Sequence, residues 1–314
     1  MRARMRIGHL STFYHTAVLL MAEGGGGKAL GHAVEWRLFA TGPEIVNAFE
    51  RGEIDLAYLG LPPAIIGIAR GIRIKCVAGG HVEGTVISGN RKAQGYPEQK
   101  DLGEILRQFS GLSMGVPGKG SIHDIILRDC LARYDLEEHI TVINYSWADQ
   151  VTEAMAHGRI AGAFGTPALA IALQRYAGGH ILCPPSKLWP GNPSYGIVVE
   201  EGFLEKGQEV VRQFLLAHEE GTRLLRSEPK RAAKIIASFV GVVDEDFVID
   251  TLRVSPKYCA QLTDGFMDST LKFVPSMRKL GYIARSISAE EIFDTSLIRN
   301  IHPDGDHYGE RTAD

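Results

Sequence analysis

Ser11, Thr12, Tyr14 and His15 follow one strand-like run of this chain, and Gly120, Ser121 and His123 follow another. Both groups fall where a loop leads into a helix. Free backbone N–H groups and the positive end of a helix dipole favour carboxylate, sulfonate, phosphate or nitrate oxygens at such places. In GKGSIHD, Gly118 and Gly120 allow close backbone approach, and Ser121 has a hydroxyl to donate to an oxyanion. The same serine stands in capping-box spacing with Asp124, so it can instead serve only its own helix. Thr41, Gly60 and Thr166 sit at further strand-to-helix turns, and the hydroxyls of Ser11, Thr41 and Thr166 are expected to share the ligand's charge.

His15 and His123 occupy equivalent positions, and His81 follows the pair Gly79-Gly80 after a strand. Imidazoles near one cleft can ligate metal, hydrogen-bond an anion or carry protons. With no HxxxH or HExxH spacing, hydrogen-bonding or structural roles are expected ahead of metal ligation, and neither metal nor cofactor is called for. GKGS lacks the GxxxxGK[ST] order of a phosphate-binding P-loop. Phe13, Tyr14 and Trp147, in loops or caps, are expected to line the ligand by shape, whereas Tyr58, inside a strand, is expected to be packing.

These residues are carried by one α/β unit present twice. RLFATGPEIVNAFERGEIDLAYLGLPPAIIGIARGIRIKCV is matched element for element by TVINYSWADQVTEAMAHGRIAGAFGTPALAIALQRYAGGHILCP. Each copy runs strand, capped helix, glycine, strand, Gly-x-Pro, helix, glycine, strand. Thr41 with Glu44, and Ser146 with Asp149, have capping-box spacing, and Gly52 and Gly158 stop the helices. Paired parallel-sheet lobes have a natural ligand crevice where loops at the carboxyl ends of their strands face each other. From Gln208 to about Leu280 the periodicity is helical, which reads as buttressing added to the lobes. ISGNRKAQGYPEQKDLGE and CPPSKLWPGNPSYG are expected to be the two connections between lobes, forming a hinge. The lobes are accordingly placed at residues 1–90 plus 192–314 and at 91–191.

At 314 residues, 45% hydrophobic and 23% charged, the chain has material for two substantial cores. A net charge of -3 without a long basic run gives no footprint for nucleic acid. No apolar stretch approaches the roughly 20 residues of a membrane helix. Four cysteines without CxxC spacing are expected to be buried free thiols.

GEIDLAYLGLPP followed by a helix and GIRIKCVAGG, then GVPGKGSIHDIIL and AHGRIAGAFGTPALA, resemble in order and spacing the substrate-binding proteins of ABC transporters. The group they resemble is the one for nitrate, sulfonate, taurine and thiamine precursors, over roughly residues 4 to 285. The resemblance implies an α/β, two-lobed type II periplasmic-binding-protein fold, with mixed sheets flanked by helices and a helical C-terminal extension. It also implies a monomer that captures a small anionic ligand, a sulfonate, nitrate, carboxylate or heterocyclic precursor, by closing its lobes. An ABC permease is then the partner and the periplasm the compartment, once a leader is removed. The opening MRARMRIGHL has no apolar signal core, which keeps a cytoplasmic placement open. Two other functions stay in view. Cytoplasmic enzymes of similar fold make cofactor precursors, with His15, Asp124 or Glu83 as candidate acid or base, although the CCCFC stretch of the thiamine-pyrimidine synthases is missing. A ligand-sensing domain needs only binding and closure.

Overall fold

The computed structural model describes residues 4–22, 33–303 and 305–309; Met1 to Ala3 of the charged start lie outside them. The first sheet takes strands β1 (Arg4–Leu10), β2 (Ala33–Phe39), β3 (Leu56–Leu59) and β4 (Ile74–Val82). Between them run helices α1 (Thr16–Ala22), α2 (Gly42–Glu50) and α3 (Leu61–Ala69). The second sheet takes β6 (Ser113–Pro117), β7 (Thr141–Tyr145), β8 (Gly162–Gly165) and β9 (His180–Ile181). Its helices are α4 (Leu102–Arg107), α5 (Ile122–Arg133), α6 (Ala148–Ala156) and α7 (Pro167–Tyr176).

Each sheet has a fifth strand that comes from the other half of the chain. β5 (Val86–Gly89) follows the first copy yet pairs antiparallel with β8 and β9, while β10 (Pro193–Glu200) follows the second copy and pairs antiparallel with β3 and β4. The strand orders β2-β1-β3-β10-β4 and β7-β6-β8-β5-β9 are therefore equivalent, position for position. This exchange corrects the lobe boundary. The chain leaves the first sheet between Val82 and Val86, ahead of residue 90, because Val86–Gly89 is strand in the second sheet. The polar stretch after it is not a crossing; it is a loop of the second lobe, where Tyr96 N–H donates to Leu182 O at 2.7 Å. The return crossing lies where expected, with α8 (Pro185–Leu188) and the Trp189 ring stacked on Phe273 at 4.1 Å.

Local chemistry explains the helices. α2 buries Ile45, Val46, Ala48 and Phe49 on one face, each large apolar side chain contributing about 1.5–3 kcal/mol. Glu44 accepts the Ala40 N–H at 3.0 Å, one residue ahead of the N-cap, and the Thr41 side chain makes no capping bond, so the expected box does not form. The Ser146–Asp149 box is replaced outright. Trp147 is the N-cap of α6, and the Gln150 side-chain oxygen takes the N–H groups of Ser146 and Trp147 at 3.1 and 3.2 Å. One residue further along than Asp149, Gln150 reaches both orphan donors and releases that carboxylate.

The helical C-terminal part holds α9 (Glu201–Lys206), α10 (Gln208–Ser227), α11 (Pro229–Val240), α12 (Glu245–Val254), α13 (Asp264–Leu271) and α14 (Phe273–Lys279), followed by the short α15 (Ala289–Ile292) and α16 (Ile298–Ile301). α11 packs on α1 and on α12, in an apolar cluster that includes Leu19, Ala232, Ile236 and Val248. No helix among the described residues is long and apolar enough to cross a membrane. All four cysteines are buried free thiols.

Candidate functional site

The carboxyl ends of β1, β3, β6 and β8 deliver loops from both sheets to one cavity of about 610 Å³. Ser11, Thr12, Tyr14, His15, Thr41 and Gly60 reach it from the first lobe, and Ser121, His123 and Thr166 from the second. Three expected residues lie outside the lining. His81 is fully buried behind it, its Nε2–H donating to Ser255 O at 2.6 Å. Trp147 caps α6 at the surface. Gly120 gives its N–H to the Asp124 carboxylate at 2.8 Å, within its own loop.

Ser121 resolves in favour of its helix. Its hydroxyl donates to Pro117 O at 2.7 Å and accepts the Asp124 N–H at 3.3 Å, so its proton is committed inside the loop. Gly118 and Gly120 hold positive φ values of 55° and 80°, and a Cβ on Gly118 would stand 2.8 Å from Thr41 Cγ2. The loop of one lobe thus comes directly against the other. Asp124 is completely buried, and its carboxylate accepts from four donors: Gly120 N–H, Arg128 Nε at 3.0 Å, Asn144 Nδ2 at 3.0 Å and the Tyr282 hydroxyl at 2.5 Å. Tyr282, which follows α14, fastens that loop to the helical part.

The two cleft imidazoles are built alike. His15 Nδ1 is 2.9 Å from Thr12 Oγ1, and His123 Nδ1 is 2.9 Å from Thr85 Oγ1 in the first crossing, leaving each Nε2 edge uncommitted. Burial holds both rings neutral, pushing His15 well below the ordinary imidazole range and His123 down to about 4. Beneath His15 lies Tyr195 at 3.9 Å between ring centroids, with Tyr58 and His218 behind it. His218 Nε2–H donates to Gly79 O at 2.8 Å, so its Nδ1 accepts the Thr16 hydroxyl at 2.8 Å. Tyr58 is packing, as its strand position implied.

This floor depends on a glycine. A Cβ on Gly80 would stand 2.1 Å from Tyr195 Cε2. Gly80→Ala is expected to cost about 1–3 kcal/mol of stability through overpacking and to tilt the ring that carries His15. Urea unfolding reads the first effect; a midpoint equal to wild type would show that the ring gives way freely.

Sequence reading missed part of the wall. Asp149, Thr152, Glu153 and Ala156 line the cavity from one face of α6. Their i, i+3, i+4, i+7 spacing, opposite the buried Val151, Ala154 and Met155, was the available signal. Val243 and Phe247 come from the helical part, which reading by period assigned to buttressing alone. Among the described lining residues there is no lysine or arginine.

The sequence signature of the NMT1-like family matches residues 2–241. The chain belongs to that family. A Brucella abortus (strain 2308) relative, named for a binding role, is 25% identical over 76% of this chain and 72% of its own length. Among solved structures, this NMT1-like protein is similar to the alkanesulfonate-binding protein SsuA from Xanthomonas axonopodis pv. citri bound to MOPS. The TM-score is 0.78 at 18% identity, over 93% of this chain and 98% of that one. The periplasmic nitrate-binding protein NrtA from Synechocystis PCC 6803 gives 0.77 at 14% identity, over 99% and 92%. A zinc-bound ligand-binding component of an ABC-type import system from Staphylococcus aureus gives 0.77 at 18%, over 96% and 100%. The likeness establishes the fold of this NMT1-like chain as the type II periplasmic-binding-protein arrangement, as its sequence resemblance implied.

Proposed function

We propose that this NMT1-like protein is the solute-binding component of an ABC importer, working outside the cytoplasmic membrane and delivering a small organic anion to a permease. The observation that carries the reading is the cleft between equivalent lobes, into which each lobe projects a loop, a neutral imidazole and a helix amino terminus. Its relatives' and neighbours' binding roles point the same way.

The lining narrows the ligand. Without a cationic side chain, an anionic end has to be met by backbone N–H groups at the starts of α5 and α7, by imidazole N–H and by the uncommitted Thr41 hydroxyl. A single charge suits such donors; a multiply charged ion would face Asp149 with no cationic lining side chain to meet it. Phe13, Leu10 and Phe247 offer apolar surface to an organic body. Catalysis is no part of this reading, because neither cleft imidazole is hydrogen-bonded to a carboxylate that would stabilise it in proton transfer.

Native mass spectrometry of gently purified protein, compared with the denatured mass, is expected to release an unaltered monoanion bound one to one. Binding of that compound should weaken roughly threefold to tenfold in His15→Ala and in His123→Ala, the cost of one hydrogen bond each. Unchanged affinity in both variants moves the site elsewhere, and a chemically converted compound would replace capture with catalysis.

A further inference from the structure

At the mouth of the cleft, α7 of the second lobe faces α12 of the helical part, which is tied to the first lobe through α11, itself packed on α1. Arg175, in the last turn of α7, donates from Nη1 to both carboxylate oxygens of Asp244 at 3.0 Å and from Nη2 to Asp250 at 3.2 Å. Between these acids its guanidinium lies 5.0 Å from the centre of the Phe247 ring. Asp244 is itself fixed as the N-cap of α12, accepting the Phe247 N–H at 2.6 Å. The inner side of Phe247 contacts Phe13 at 5.6 Å between centroids and forms part of the cavity wall, and Tyr176, next to Arg175, lines the cavity from the opposite lobe. One side chain of the second lobe is thus seated in an acid, aromatic, acid socket on the first, directly over the ligand space.

We propose that Arg175 holds the cleft shut and thereby sets how firmly the solute is retained, acting through Phe247 without touching the solute. The proposal rests on the cleft being the ligand site. Interactions made only in the closed state shift the population toward it and raise apparent affinity by the same factor. The planar fork engages two carboxylates while its face lies on a ring, which a lysine ammonium does not reproduce. Because the pairs are partly solvated, dissolved salt weakens them whatever the charge of the solute.

Small-angle X-ray scattering of the ligand-free protein in low and high salt tests this without any solute. Wild type is expected to be compact in low salt and to expand in high salt. Arg175→Gln and Arg175→Lys should be expanded in both, with the closed fraction reduced roughly tenfold from two surface ion pairs and one cation–π contact. Asp250→Asn, which removes the charge of one ion pair, should fall between. Thermal unfolding of each variant close to wild type is expected, since the socket lies at the surface. Arg175→Gln as compact as wild type in low salt overturns the latch, and a compact Arg175→Lys overturns the role of the fork. Either failure leaves solute capture standing, since that is judged by the released mass; an empty protein in native mass spectrometry would remove the solute and leave the scattering result intact.

Discussion

Lowering the pH from neutrality to about 4 is expected to cost this protein several kcal/mol of unfolding free energy, on the order of 1.4 kcal/mol per pH unit for each buried imidazole between its two pKa values. His81, His123 and His218 are each pushed down to about 4 by burial, and His15 is pushed lower than the ordinary range by burial and by the neighbouring imidazoles. In the unfolded chain these rings take up protons near pH 6.5, while in the fold they stay neutral. Their contribution is therefore complete above about 6.5 and is lost as the pH falls toward about 4. His302 runs the other way. Contacts with Cys259 and then Glu219 raise it to about 10, so its contribution is complete below the ordinary imidazole value and fades as the pH climbs toward about 10. Stability should accordingly peak near pH 6.5, where both contributions are present. Urea midpoints at constant slope across pH trace the curve; a midpoint that stays level from neutrality down to about pH 5 would sink the assignment of neutral buried rings.

Asp124→Asn is the substitution expected to do most damage for least change of shape. The carboxylate accepts from two lobes and from the glycine loop, with no exposed surface of its own. An amide places an N–H₂ group against at least one of those donors and leaves Arg128 without its only carboxylate, with the neutral Asn144 oxygen as its remaining partner. The expected loss is about 3–5 kcal/mol, as for other buried charges deprived of one partner. Amide exchange at Gly120 should quicken as its acceptor is lost. A urea shift worth less than about 1 kcal/mol, with Gly120 still protected, would mean that the loop is held by Ser121 and Pro117 alone.

The repeated unit, the cap at Ser121 and the helical character after Gln208 were legible because each rests on neighbours in the chain, whereas Thr166, read as a ligand hydroxyl, caps α7. Period and capping chemistry are local. The destination of Val86–Gly89 was not legible, since four apolar and small residues before a polar loop suit either a strand end or a linker until their partners are known. Asp149 could have been recovered from the face of α6, had Gln150 been recognised as the better capping residue. Phe247 and Arg175 could not. They lie on helices far apart in the sequence, and nothing within either helix specifies that the two meet across a cleft. His81, placed by the same glycine signals as the true lining residues, shows that position beside a turn does not tell which side of a ring of tyrosines a side chain will occupy.

The exchanged strands also govern the order in which the molecule can be assembled during synthesis. β10 stands between β3 and β4, so the first sheet has a gap at its centre until Pro193–Glu200 has left the ribosome. The second sheet needs nothing later than β9, so it can close while the first is still waiting. Nascent chains should carry a finished second lobe beside two open strand edges, and those edges, Leu56–Leu59 and Ile74–Val82, are where a holding chaperone would be needed.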